Sequence, residues 1–157
     1  MLAFDWSKPV VGAASITINR TPLQVFDFVV WHFEDNYPRW APEVIEFQSL
    51  TGRGISAGAR YRQIRLEQSQ PVESEFAVAA LEEEQYLLLQ GTTAPYQTRY
   101  EFAAAADSAA THLTFSFSLL ELELFMRPFH KLIRVAIEEG AQYTVNNIKN
   151  LIETARY

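Results

Sequence analysis

The hydrophobic residues of the chain recur with two different periods, and the period of two comes first. Ala14, Ile16 and Ile18 are separated by polar residues. Such alternation is typical of a strand with one face buried and the other in water. We therefore predict a first strand over this stretch, before any helix.

The spacing changes at Thr21, where a helix is predicted to begin. Thr21 is a favourable N-cap, Pro22 suits the first helical position, and Gln24 completes a capping box. Apolar residues then recur at helical spacing as far as Phe33, so the predicted helix covers residues 22–33. Two prolines in residues 34–43 allow at most a short turn of helix there.

The middle of the chain returns to strand-like patterns separated by short polar or glycine-rich turns. Short turns between alternating segments are typical of antiparallel hairpins. The sequence therefore predicts a meander of six strands, centred on residues 45–50, 60–67, 71–81, 86–91, 96–103 and 111–120.

The last part of the chain is predicted to be one long helix. Its apolar residues form a single stripe at helical spacing: Phe125, Phe129, Leu132, Ile133, Ala136, Ile137, Ala141, Val145, Ile148, Leu151 and Ile152. The predicted helix begins near Arg127 and ends near Ala155, which makes it roughly 40 Å long. A helix of this length can cross a whole curved sheet.

Composition and charge exclude thiol-based chemistry and argue against nucleic-acid binding. The chain has 157 residues, no cysteine and a formal charge of −6. Without cysteine there is no disulfide, thiol nucleophile or thiolate metal site. The basic residues are scattered, whereas a duplex-binding domain carries a basic stripe, so no nucleic-acid partner is expected. The sequence predicts no membrane span and no secretion signal in residues 1–6, and cytoplasmic is the default expectation.

The order of elements, together with several short motifs, resembles a known superfamily. Residues 15–22 with residues 25–28, the Tyr37-Pro38-Arg39-Trp40-Ala41-Pro42 segment, and the glycine-rich turn of residues 54–61 carry the likeness. They resemble the START-like (helix-grip, SRPBCC) superfamily, and within it the polyketide cyclase/dehydrase and lipid-transport family.

This resemblance implies an α+β helix-grip fold. Its expected form is a seven-stranded curved antiparallel sheet wrapped around the long C-terminal helix, with one or two short helices between strands 1 and 2. The likeness extends over residues 13–155, and we expect residues 1–157 to form a single START-like ligand-binding domain. In that fold the sheet and the terminal helix enclose an apolar cavity.

Strand alternation indicates which side chains face such a cavity. The expected lining residues come from the apolar faces of the strands, from the tryptophan-proline segment and from the terminal helix: Trp40, Arg62, Ser74, Phe76, Thr98, Tyr100, Phe102, Phe115, Phe117, Phe129, Ile133 and Ile137. The alternative is that the aromatic side chains in this set only fill the hydrophobic core. A buried hydroxyl needs a partner, which a ligand, water or the backbone can supply.

The third strand is ambiguous. Arg62 shares a face with Ile64 and Leu66, and it reaches the cavity only if those two point inward. There it could bind a carboxylate or polarise a carbonyl. The alternative is that Arg62 lies near the end of the sheet and reaches solvent.

No catalytic or metal-binding pattern stands out. The three histidines lack metal-ligand spacing, and there is no serine-nucleophile or phosphate-loop motif. We therefore expect no cofactor and no metal. The first hypothesis is a binding protein for a hydrophobic small molecule, lipid-like or aromatic and polyketide-like, acting as a monomer or homodimer. The alternatives are a polyketide cyclase/dehydrase-type enzyme, in which Arg62, Tyr100 and Ser74 would act, and an interaction module.

Overall fold

The computed structural model describes residues 9–155, and its central element is a seven-stranded antiparallel sheet. The strands are β1 Val10–Ile18, β2 Val44–Ser49, β3 Arg60–Glu67, β4 Gln70–Glu82, β5 Tyr86–Gly91, β6 Tyr96–Ala105 and β7 Ala110–Leu119. Their order across the sheet is β1-β7-β6-β5-β4-β3-β2, which confirms the predicted meander. Residues 1–6, where the sequence predicts no secretion signal, lie outside the described range.

Three short helical pieces connect β1 to β2. They are α1 Pro22–Phe26, a π-helical turn over Asp27–Trp31, and α2 Phe33–Trp40. The predicted capping box is present at the start of α1, because the Thr21 hydroxyl accepts the Gln24 N–H at 3.2 Å and the Gln24 side chain accepts the Thr21 N–H at 3.1 Å.

The helix α2 corrects one expectation. We expected at most a short turn after residue 33, yet eight residues are helical and Pro38 lies inside the helix. Pro38 removes one intrahelical hydrogen bond. The spacing of Phe33, Tyr37 and Trp40 places all three on the buried side of α2, with at most 7% of each exposed. Burial of three aromatic side chains outweighs the missing bond.

A 3-10 helix, Leu124–Phe129, leads into the long helix α3, His130–Thr154. The second half of α3 is packed against the core through Ala141, Val145, Ile148 and Ile152. The apolar stripe predicted from residue 125 onward is only partly buried. Phe125 and Phe129 in the 3-10 helix and Leu132 in α3 are 69%, 51% and 71% exposed, and the core cluster of buried side chains holds no residue of α3 before Ala141. Among residues 9–155, no helix is long and apolar enough to cross a lipid bilayer.

At its middle α3 rests directly on β1. Gly12 is the contact point, because a Cβ atom at this position would lie 2.5 Å from Ile137 Cγ2 and 2.7 Å from the Glu138 amide nitrogen. Further along, the Lys149 ammonium donates to the Thr17 carbonyl, and the Arg20 guanidinium donates to the Glu153 carbonyl. Strand and helix are thus joined along most of the length of β1.

The core is dominated by aromatic rings that α2 places against the sheet. We call these rings the aromatic cluster, and its members have ring centroids between 4.9 and 6.3 Å apart in neighbouring pairs: Phe33, Tyr37, Trp40, Phe47, Tyr61 and Phe76. Edge-to-face and offset pairs at these distances add stability beyond area burial. The cluster forms one wall of the cavity described next.

Candidate functional site

A cavity of about 480 Å³ lies between the inner face of the sheet and the helices. This volume is within the range of small-molecule sites, about 300–1,000 Å³. The helix α2 contributes Tyr37 and Trp40, α3 contributes Thr144, and the strands contribute most of the remaining lining.

The inner end of the cavity is apolar and buried. Its walls are Trp40, Phe76, Leu89, Tyr100 and Phe115, each at most 8% exposed. The Trp40 indole donates to the Tyr100 hydroxyl at 3.3 Å, so the polar atoms of both rings are paired with each other. This end therefore offers a ligand mainly apolar contact.

The other end of the cavity reaches the surface. The lining residues Glu67, Val72 and Glu73, at the β3–β4 hairpin, and Thr93 and Ala94, in the β5–β6 turn, are exposed. These two turns form the mouth of the cavity.

Between the mouth and the apolar end, five polar side chains face the cavity: Tyr37, Gln63, Arg65, Ser74 and Tyr96. We call this group the polar band. The Tyr37 hydroxyl donates to Gln63 Oε1 at 2.7 Å and accepts from Arg65 Nη1 at 3.0 Å. The Gln63 amide donates to the Ser74 hydroxyl at 3.3 Å. The four groups form one connected network.

Arg65 is held at the mouth side of this network by a carboxylate. Its Nη2 donates to Glu43 Oε1 at 2.5 Å, and both side chains are about a third exposed or less. Burial acts to lower the pKa of Arg65, but Tyr37 and Glu43 outweigh it and raise that pKa on balance. The guanidinium therefore keeps its charge, and Glu43 neutralises it.

Tyr96 completes the polar band but differs from the other four members. Its hydroxyl is buried and has no hydrogen-bond partner among the described residues. Ser74 and Gln63 lie close enough to lower its pKa, yet burial dominates and raises that pKa overall. Neither neighbour meets the geometry of a hydrogen bond, so the Tyr96 hydroxyl is a buried donor without an acceptor.

Burial raises the pKa of Tyr37 to about 12, and it raises the pKa values of Tyr61 and Tyr100 further. In each case the low-polarity surroundings disfavour the phenolate. At neutral pH these phenols are protonated hydrogen-bond donors. Tyr37 donates its hydrogen bond to Gln63 and Tyr61 donates its hydrogen bond to Glu34, and none of the three phenols can act as a base at neutral pH.

These pKa shifts predict loss of stability in alkali. The folded Tyr37 pKa of about 12 lies above its unfolded value of about 10, so the folded protein binds the proton more tightly. The stabilising contribution is complete below about pH 10 and is lost as the pH rises towards 12. Ultraviolet absorbance should show fewer than the seven tyrosines ionising near pH 10, with the remainder ionising only as circular dichroism records unfolding.

The same titration in denaturant is the control for this prediction. There all seven tyrosines should ionise together near their ordinary pKa. If the folded protein titrates identically, with its circular dichroism unchanged, burial does not suppress ionisation of these phenols.

The structure brings seven of the sequence-predicted site residues to the cavity. They are Trp40, Ser74, Phe76, Thr98, Tyr100, Phe115 and Phe117. The strand alternation that indicated them is present in the sheet, where Tyr100 pairs with Phe115 and Thr98 pairs with Phe117 across β6 and β7. Their contact with a ligand remains a prediction.

The other five predicted residues do not line the cavity. Phe102 is on the inner face but packs against Phe26 in the core, with ring centroids 5.1 Å apart. Ile137 lies against Gly12 at the β1 contact, and Ile133 is half-buried one turn earlier. Phe129 is on the surface because the 3-10 helix that precedes α3 has no buried residues.

Arg62 is the fifth, and it lies on the opposite face of β3 from the cavity. It pairs with Glu73 at 2.6 Å and with Glu46 at 3.6 Å. The inward face carries Tyr61, Gln63 and Arg65 instead, and the exposed face carries Leu66.

Sequence reasoning missed Arg65, Tyr37, Gln63 and Glu43 as a group. Both faces of β3 mix charged and apolar residues, so alternation alone does not orient this strand. A usable signal was Tyr61, since an aromatic residue is buried more often than an arginine. In residues 9–155, no group of three or more His, Asp or Glu side chains is placed to hold a metal ion.

No protein-family model and no curated protein matches this sequence, whereas its arrangement of sheet and helices is similar to several solved structures. A START superfamily protein from Mycobacterium smegmatis superposes with a TM-score of 0.73 at 13% identity, covering 91% of this chain and 97% of the other. TTHA0849 from Thermus thermophilus gives a TM-score of 0.73 at 14% identity, covering 94% and 99%. The chain has the START-like helix-grip fold. This confirms the fold implied by the sequence resemblance.

A third structure with the START-like fold comes from a biosynthetic setting. DynU16, a protein in the dynemicin biosynthetic locus, superposes with a TM-score of 0.64 at 14% identity. The match covers 92% of this chain but 47% of DynU16. At these identities the likeness establishes the fold only, and the function has to be argued from the cavity.

Proposed function

We propose that this chain is a single START-like domain that binds a hydrophobic small molecule, lipid-like or aromatic, in the cavity between the curved sheet and the helices. The observation that carries the proposal is the cavity itself, about 480 Å³ with an aromatic and aliphatic inner end. Apolar lining of this kind favours transfer of an apolar ligand out of water by about 25 cal/mol for each Å² buried.

Native mass spectrometry of the purified protein tests the proposal most directly. We expect an excess mass under native conditions that is lost on denaturation, and its value would give the ligand class. Protein that purifies empty should bind the uncharged fluorescent probe N-phenyl-1-naphthylamine with increased emission. Absence of both the bound mass and the probe signal would contradict the proposal.

A substitution that fills the cavity provides the matching prediction. Thr98 lines the cavity from β6, so Thr98→Phe should lower probe affinity by about tenfold, because the added ring occupies ligand space. Probe titration followed by fluorescence measures the change.

The control for Thr98→Phe comes from the same strand. Glu101 is exposed on the opposite face of β6, so Glu101→Phe adds the same ring outside the cavity and should leave probe affinity unchanged. Equal affinities of the two variants would mean that the probe binds elsewhere.

A second candidate function is an enzyme of the cyclase/dehydrase type. It is favoured by the Glu43–Arg65–Tyr37 network inside the cavity and by the likeness to DynU16. If Tyr37 exchanged its hydrogen bond to Gln63 for one to a substrate carbonyl, this protonated phenol beside a guanidinium could polarise the carbonyl. Conversion of a poly-β-ketone thioester to a product of altered mass, abolished by Tyr37→Phe, would support catalysis over carriage.

A further inference from the structure

The polar band also constrains what kind of ligand fits, and this argument rests on the proposed function. Tyr96 carries a buried hydroxyl with no partner among the described residues, and it lines the cavity. A buried donor without an acceptor is costly, so a ligand that supplies an acceptor there is preferred over one that does not.

The position of Tyr96 places that acceptor at a defined depth. Tyr96 is the first residue of β6 and pairs with Leu119, while Thr98 and Tyr100 lie progressively further from the mouth. A ligand oxygen at Tyr96 therefore leaves the rest of the molecule against the apolar end. The ligand is amphipathic, with its polar atom towards the mouth.

The charges around the cavity indicate the charge of that polar atom. Three carboxylates line the cavity, from Glu43, Glu67 and Glu73, against the single guanidinium of Arg65. Arg65 already uses both terminal nitrogens, one towards Tyr37 and one towards Glu43. Glu43 is paired with Arg65 and Glu73 with Arg62, whereas the Glu67 carboxylate has no ion pair among residues 9–155. An anionic head group would thus meet an arginine that is already neutralised and the unpaired carboxylate of Glu67.

We propose that the cavity selects an uncharged amphipathic ligand whose hydroxyl or carbonyl oxygen accepts the hydrogen bond of Tyr96. A carboxylate in the same place is disfavoured because Glu43 already neutralises Arg65 and the nearby Glu67 carboxylate is unpaired among residues 9–155. Two features therefore determine which ligand is preferred. The Tyr96 hydroxyl is a neutral donor without a partner among the described residues, and Arg65 is already neutralised by Glu43.

Displacement of N-phenyl-1-naphthylamine by three ligands with the same number of carbons tests this inference. They are decan-1-ol, decan-2-one and decanoic acid, the last ionised at neutral pH. In the unmodified protein we expect the alcohol and ketone to displace the probe at about tenfold lower concentration than the acid.

Two variants separate head-group recognition from general preference for an uncharged chain. Tyr96→Phe should lower the affinity for the alcohol and the ketone by about fivefold, because one hydrogen bond to the ligand is removed. The affinity for decanoate should stay unchanged. Its Tm should stay equal or rise, since an unpaired buried hydroxyl is lost. Glu43→Gln should strengthen decanoate by about tenfold, because Arg65 then lacks its carboxylate.

Tyr86→Phe is the matched control, a tyrosine on β5 whose ring stacks under Arg99 outside the cavity. It should leave all three affinities unchanged. The inference is overturned if Tyr96→Phe binds the alcohol and ketone as the unmodified protein does, or if decanoate displaces the probe as well as decan-1-ol. If the probe does not bind the unmodified protein at all, the proposed function itself fails.

Discussion

Phe33→Ala is expected to lower the free energy of unfolding by about 4 kcal/mol, within the range measured for removing a fully buried phenylalanine. Phe33 is 0% exposed and lies at the centre of the aromatic cluster. Its ring contacts five others, those of Tyr37, Trp40, Phe47, Tyr61 and Phe76. Chemical denaturation followed by tryptophan fluorescence measures the loss.

The same substitution should also weaken probe binding, because three neighbours of Phe33 line the cavity wall: Tyr37, Trp40 and Phe76. Phe125→Ala is the matched control. Phe125 is 69% exposed, and its removal should cost less than about 1 kcal/mol and leave the probe unaffected. Equal costs for the two variants would show that the aromatic cluster does not form the core.

Gly12→Ala is expected to destabilise the protein by about 2 kcal/mol or more, although the added group is one methyl. The new Cβ would lie 2.7 Å from the Glu138 amide nitrogen and 2.9 Å from the Ile137 carbonyl carbon. Those are backbone atoms of α3, so no rotamer change relieves the contact. The helix must move off β1, which opens the contact between strand and helix.

Gly140→Ala is the control, and it is expected to stabilise the protein where Gly12→Ala destabilises it. Gly140 lies in α3, and nothing lies within 4 Å of the Cβ it would gain. Alanine is favoured over glycine inside a helix, so the variant should be more stable by up to about 1 kcal/mol. Thermal unfolding should show a lower Tm for Gly12→Ala and a higher Tm for Gly140→Ala than for the unmodified protein. A neutral Gly12→Ala would mean that α3 does not rest on β1 as described.

Most of the sheet could be predicted from the sequence because its strands alternate cleanly. In β6 and β7 the inward residues are aromatic or aliphatic apart from Thr98 and Thr111, and most outward ones are polar, so the observed faces follow from the pattern. The capping box at Thr21 is equally local, and the first helix begins where it predicts. These features depend on neighbours close in the sequence.

The site was predicted only in part because its decisive contacts are distant in sequence. Arg65 meets Tyr37 across 28 residues and Glu43 across 22. Within β3 only Tyr61, which shares a face with Arg65, favours Arg65 over Arg62 as the inward arginine. The exposure of Phe129 and Leu132 is also a tertiary effect, since helical spacing specifies a stripe but not how far the core extends beneath it.

The backbone contact at Gly12 also determines how the cavity behaves when it is empty. Because α3 already touches the backbone of β1, the helix has no room to sink further towards the sheet at that point. At the other end the Asn147 amide donates to the Trp40 carbonyl and ties α3 to α2. Held at both places, the two layers keep their spacing without a ligand between them. Binding of the proposed ligand would then require little reorganisation of the protein, because the cavity is preorganised.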